Sequence, residues 1–156
     1  MEHTHHAHAH TSLNKVAFSA TLHCLTGCAI GEVFGMVIGT AFGLSNAVTI
    51  FIAIALAFAF GYSLTLLPLV RSGMALGTAL GLAFASDTLS ITTMEIVDNV
   101  VMVFIPGALD AELTTFMFWG SLAVSLAIAG VAAYPVNRWL IARGKGHAVL
   151  GDHHNH

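Results

Sequence analysis

Four long apolar stretches dominate this sequence and constrain its fold more than any other feature. They cover about residues 15–44, 47–70, 74–105 and 114–141. Each is long enough to cross a hydrocarbon core of about 30 Å as a helix, which takes about 20 residues. Only 8% of the chain is charged, against roughly a quarter in a soluble domain. The sequence therefore predicts an all-α membrane protein with four transmembrane helices.

Two histidine-rich tails flank the apolar stretches, and nine of the ten histidines lie in them. The first tail, residues 1–13, is polar and low in complexity, which predicts disorder. Residues 14–142 form the predicted transmembrane domain, and residues 143–156 form a basic and then histidine-rich tail. The tails could buffer a metal or act as spacers. The apolar composition leads us to expect contact with a lipid bilayer, and we expect no nucleic-acid partner; the net charge of −3 says little, because the position of the charges matters more than their sum.

The charges indicate how the chain crosses the membrane. Four spans put both termini on one side, together with every basic residue: Lys15, Arg71, Arg138, Arg143 and Lys145. Asp110 and Glu112 then lie on the other side. Because basic loops stay in the cytoplasm, we expect both termini to be cytoplasmic in a bacterial inner membrane.

Glycine recurs at every fourth position of the first span, at Gly27, Gly31, Gly35, Gly39 and Gly43. The third span repeats the spacing at Gly73, Gly77 and Gly81. This spacing lets two helix backbones approach closely in a membrane. We expect the first and third helices to pack glycine stripe against glycine stripe. Because four short helices enclose little pathway alone, we also expect a homo-oligomer or a partner membrane helix.

Polar side chains share the glycine face of the first helix. Cys24, Cys28 and Glu32 lie nearly on that face, with His23 at its edge. At about 1.5 Å per residue, Asp87 of the third span lies within a turn of Glu32 in depth. A carboxylate there costs on the order of 3 kcal/mol, and no basic residue offsets it. We expect these two carboxyl groups to face one interior and to share a proton, bind a cation or contact water.

The second half of the third span is acidic. Glu95 and Asp98 are predicted to reach the outer interface and to form an acidic mouth with Asp110 and Glu112. As one straight helix this span would measure roughly 48 Å, well above the hydrocarbon thickness. The helix must therefore tilt, project from the membrane or break, and a break is expected at residues 86–88, where the apolar character ends.

The donor types indicate a transition-metal cation. Thiolate and thioether favour copper(I), and imidazole also suits zinc and nickel. The sequence predicts that copper first, and zinc or nickel next, is transported or handled, with protons coupled to it, by five residues: His23, Cys24, Cys28, Glu32 and Asp87.

Other interpretations remain open. The cysteines could be packing residues, and the carboxyl groups could be protonated and hydrogen-bonded between helices. The protein could instead be a non-catalytic scaffold whose glycine seam binds a partner helix, or a thiol redox or haem-binding subunit. No catalytic motif is present, so we expect no enzyme activity.

The segment HCLTGCAIGE, residues 23–32, contains an HC-x3-C-x3-E motif. Together with the glycine-rich first span and the acidic third span, it resembles domain-of-unknown-function family 4396, a family of small bacterial membrane proteins. The resemblance covers most of residues 15–145. It implies a four-helix membrane architecture and the same candidate residues, but no activity.

Overall fold

A computed structural model describes residues 4–143, with side chains from Leu13 onward. This part of the chain consists of four helices: α1 (Thr4–Phe42), α2 (Asn46–Arg71), α3 (Leu76–Phe104) and α4 (Phe116–Ala142). All four are long and apolar enough to cross a membrane, α1 through its segment Leu13–Phe42. The prediction of an all-α protein with four membrane spans is confirmed.

The helix boundaries follow the apolar stretches closely, but the N-terminal tail differs from the prediction. The helix α1 begins at Thr4, so it continues through most of the segment predicted to be disordered. Alanine and histidine can extend a helix beyond the membrane because neither breaks it. Residues 1–3 and 144–156, with most of the C-terminal tail, lie outside the described residues.

Short connections place sequential helices antiparallel to one another. The chain turns at Gly43 with φ 61° and at Gly73 with φ 91°, a backbone conformation that glycine adopts without strain. These two glycines therefore belong to turns. Their assignment to the packing stripes was wrong, because α1 ends before Gly43 and α3 begins after Gly73.

The glycine stripe of α1 packs against α2, and the predicted pairing with α3 was wrong. A Cβ atom on Gly27 would lie 2.6 Å from the Cα of Gly61, and one on Gly35 would lie 2.5 Å from the Cα of Ala53. The helix α2 offers small residues at the same spacing, including Ala57 between these two. By contrast, a Cβ on Gly77 or Gly81 of α3 would meet nothing within 4 Å.

The helix α3 runs unbroken through residues 86–88, so a break, one of the three alternatives, is excluded. Its 29 residues measure about 44 Å, so it must tilt or project from the membrane. The hydroxyl of Ser86 donates to Asp87 Oδ1 at 2.7 Å, and that of Thr88 donates to the Phe84 carbonyl at 2.6 Å. Because these polar side chains find partners on their own helix, the helix can continue.

The two ends of the bundle carry opposite charge. At the end where α1 begins, Arg138 Nε donates to Asn14 Oδ1 at 2.9 Å. The guanidinium carbon of Arg143 lies 4.3 Å from the centre of the Trp139 ring at the same end. The acidic connection between α3 and α4 lies at the other end. We call these the basic end and the acidic end.

Candidate functional site

Although its outer surface is apolar, the interior of the bundle is polar along much of its length. The helices α1 and α3 meet across the centre, and α2 and α4 complete the ring. Among the side chains that the structure describes, twelve polar ones are buried between the helices: Thr21, Glu32, Thr49, Thr65, Ser86, Asp87, Ser90, Glu95, Asp98, Ser121, Ser125 and Asn137. Polar groups enclosed in this way need partners or a ligand, since lipid supplies neither.

Three acidic side chains meet near the acidic end and form what we call the carboxylate cluster: Glu32, Glu95 and Asp98. Their exposed fractions are 6%, 4% and 4%. The charged neighbours of Glu32 across the α1–α3 interface are Asp98 and Glu95. By helical rise, Glu32 lies about 15 Å from the end of α1, and Asp98 lies about 9 Å from the end of α3.

The prediction that Asp87 faces Glu32 was wrong. Asp87 lies eight residues before Glu95, about 12 Å along α3. Depth counted from Met74 placed it too far along the helix, because that count assumed that the span starts at the membrane boundary. The expectation of facing carboxyl groups is met by Glu95 and Asp98 instead.

Five of the six oxygen atoms of the carboxylate cluster have no hydrogen-bond donor among the described residues. Both oxygens of Glu32, both of Glu95 and Oδ1 of Asp98 are buried with no hydrogen-bond partner among the described residues. All three side chains line a cavity of about 40 Å³. One water needs at least about 10–15 Å³, so the cavity has room for water or a small cation beside the carboxyl groups.

The helix α4 also contributes to the cluster, which was not predicted from the sequence. Ser125 is fully buried and lies beside the carboxyl group of Asp98. Ser121 is buried one turn away on the same face. Two serines at i and i+4 in an otherwise apolar span were the available signal, because they place hydroxyl groups on one face of the helix.

A layer of sulfur atoms adjoins the cluster on the side of the basic end. The Sγ atom of Cys28 lies 4.0 Å from the Sδ atom of Met94, and both residues are fully buried. Glu95 and Glu32 are the acidic neighbours of Cys28. Both cysteines of the chain are free thiols.

Asp87 belongs to a second polar layer, further toward the basic end. It is fully buried, and it accepts a hydrogen bond from Ser86. Cys24 lies beside Asp87 and Ser90. The two cysteines therefore lie in different layers: Cys28 lies beside Glu32 and Glu95, and Cys24 lies beside Asp87.

Two side-chain hydrogen bonds link α1 to its neighbours. His23 Nε2 lies 3.1 Å from Thr65 Oγ1 on α2. Asn137 Nδ2 donates to Thr21 Oγ1 at 2.9 Å, joining α4 to α1 in a buried position. Asn137 was not predicted as an interior residue, although an amide inside an apolar span is a signal of this kind.

The predicted acidic mouth divides into two parts. Asp110 and Glu112 are exposed in the α3–α4 connection, and Asp110 Oδ1 accepts from Asn46 Nδ2 at 3.0 Å. Glu95 and Asp98 are buried, so placing them at the outer interface was wrong. The connection folds over this end of the bundle through Ala108, which is fully buried.

The predicted metal residues lie in successive layers rather than in one site. Among the described residues, no three side chains of histidine, cysteine, aspartate or glutamate are arranged to hold a metal ion. The helical rise explains this arrangement, since Cys24 and Glu32 are about 12 Å apart along α1.

The fold and this interior define a small multi-pass membrane protein with acidic and sulfur-containing side chains buried in a four-helix bundle. The chain belongs to the family described as a domain of unknown function (DUF4396), which matches residues 13–146. No curated protein and no solved structure shows significant similarity to it.

Proposed function

We propose that this protein is a non-enzymatic transporter that passes a cation across the membrane through the carboxylate cluster. The supporting observation is Glu32: a buried acidic side chain without a donor, facing two more acidic side chains beside a cavity. Three carboxylates cannot all be charged at this depth without a counter-ion, so protons or a cation in transit must balance their charge. Exchange between the two would couple the cation to protons.

The cargo that we propose is a transition-metal ion, copper before zinc or nickel. From the acidic end inward, carboxyl groups are followed by sulfur atoms, and sulfur donors favour Cu(I). Under the proposed orientation, with both termini in the cytoplasm of a bacterial inner membrane, the carboxylate cluster lies nearer the outer surface. Exposed Asp110 and Glu112 would raise the local concentration of cations there.

Flux into proteoliposomes tests the proposal. The full-length protein is reconstituted, Cu(I), Zn(II) or Ni(II) is added outside, and metal uptake and internal pH are followed. We expect Glu32→Gln to reduce metal flux to the level of empty liposomes. Glu112→Gln, which removes only one of the two exposed carboxyl groups at the same end, should retain most of the flux. Both variants keep the tails, so metal bound by tail histidines cancels in the comparison.

Equal flux of every metal and of protons through the wild type and Glu32→Gln would refute the proposal. Wild-type flux no higher than that of empty liposomes would refute it as well.

The scaffold interpretation has support from a different surface. The α1 stripe is covered by α2, but Gly77 and Gly81 of α3 have open space before them. A groove of about 360 Å³ beside them is lined by Tyr62, Leu80 and Phe84, among others. If a partner helix or a second copy binds this groove, Gly81→Leu should abolish its co-purification, and Glu32→Gln should not.

A further inference from the structure

We propose that Cys28 and Met94 form a two-sulfur site for a soft monovalent cation, Cu(I) or its analogue Ag(I). The inference rests on the proposed function only for the route by which the ion arrives. Cys28 comes from α1 and Met94 from α3, so the site exists only once the helices pack. Its two sulfur atoms are a thiol and a thioether, the donor types that favour Cu(I).

The separation of the sulfur atoms fits one ion between them. Metal–thiolate bonds are about 2.3 Å long, as in zinc sites, so two sulfur atoms bound to one ion lie at most about 4.6 Å apart. The observed distance of 4.0 Å lies within this limit. An ion at equal distances would therefore need little movement of either helix.

The charge of the layer favours a monovalent ion. Binding replaces the thiol proton of Cys28, which is released to water, by the cation. A monovalent cation then leaves the net charge of the layer unchanged, whereas a divalent cation adds one positive charge. Because uncompensated charge is costly at this depth, the pair selects for charge as well as for softness.

The ion would reach the sulfur pair from the carboxylate cluster. Cys28 lies one helical turn before Glu32, and Met94 lies one turn before Asp98, each about 6 Å along its helix. Both acidic residues line the cavity. The unpartnered oxygens of Glu32 and Glu95 would attract cations of any kind, and the sulfur pair behind them would retain the soft ones.

Titration of the full-length protein in detergent with Ag(I) tests the inference. Thiolate bonded to Ag(I) absorbs in the near ultraviolet, and tail histidines do not produce this band. We expect the wild type to bind one more equivalent than Cys28→Ser and to show the band, which Cys28→Ser loses and Met94→Leu weakens. Met117→Leu, a thioether change on the half-exposed part of α4, should match the wild type. Circular dichroism checks that each variant remains helical.

An unchanged band and stoichiometry in Cys28→Ser would overturn the inference. If Met94→Leu matches the wild type, the two-sulfur site is also wrong. Loss of flux in Glu32→Gln with an unchanged Ag(I) band in Cys28→Ser would uphold the proposed function and remove only this site. Loss of the band in Cys28→Ser with normal flux in Glu32→Gln would uphold the site and remove the proposed route.

Discussion

The carboxylate cluster places three acidic side chains where the described chain offers them no basic partner. The basic residues Lys15, Arg71, Arg138 and Arg143 lie at the other end of the bundle. A cluster of acceptors without donors lowers stability unless a proton or a cation occupies it. Its presence in a small bundle is therefore better explained by function than by packing.

Replacement of Glu32 by glutamine should stabilise the protein in the absence of added metal. The amide introduced by Glu32→Gln could donate to Glu95 and Asp98, which removes a buried unsatisfied group worth about 1–3 kcal/mol. We expect the midpoint of thermal unfolding in detergent to rise by a few degrees.

Glu112→Gln is the control for this prediction, because Glu112 is exposed at the same end and its change should have little effect. A midpoint in Glu32→Gln equal to or below that of the wild type would contradict the account of an unsatisfied cluster.

Which two helices pack together depends on the shapes of both contacting faces, and not on the glycines of one helix alone. In α2, the buried residues Thr49, Ala53, Ala57, Gly61, Thr65 and Leu69 recur every fourth position. Most side chains on this face are small, so the glycine stripe of α1, which has no side chains, packs closely against it. Glycine spacing in α1 and α3 shows that close approach is allowed in both helices, but only the complementary face determines the partner.

Alanine substitutions at two glycines should separate the packed stripe from the open one. Gly35→Ala places a methyl group 2.5 Å from the Cα of Ala53, so the helices must shift. We expect it to destabilise the protein by about 1–3 kcal/mol, as overpacking does. Gly81→Ala meets nothing within 4 Å and should be neutral or stabilising by up to about 1 kcal/mol through helix propensity.

Thermal unfolding of both variants in the same detergent gives this comparison. Greater destabilisation by Gly81→Ala than by Gly35→Ala would mean that α3 packs against a helix not present in the bundle described above, such as that of a second copy.

The number and type of the helices were predictable from the sequence because long apolar runs have one main solution in lipid. Depth along one helix was less predictable. The predicted depth of α3 was wrong by at least two helical turns. As a result, Asp87 was predicted to face Glu32 instead of Glu95 and Asp98. The contributions of Ser125 and Asn137 were missed because only the aromatic residues at the ends of their helix were considered. Each polar residue in an apolar span needs a partner in the interior, and this would have identified both.

At the scale of the whole molecule, charge and chemistry vary in one direction along the bundle axis. The exposed acidic residues and the carboxylate cluster lie toward one end, the sulfur pair and Asp87 follow, and the arginines lie at the other end. An orientation fixed by the basic end would also fix which side of the membrane the carboxylate cluster faces.

Labelling with a membrane-impermeant maleimide should reveal this orientation in whole bacterial cells. In a Cys24→Ser, Cys28→Ser background, Glu112→Cys at the acidic end should react from outside. Ser72→Cys, in the connection between α2 and α3 at the basic end, should react only after the cells are opened. The reason is the retention of arginine-containing connections in the cytoplasm. Outside labelling of Ser72→Cys with protection of Glu112→Cys would reverse the proposed orientation, and the carboxylate cluster would then receive its cation from the cytoplasm.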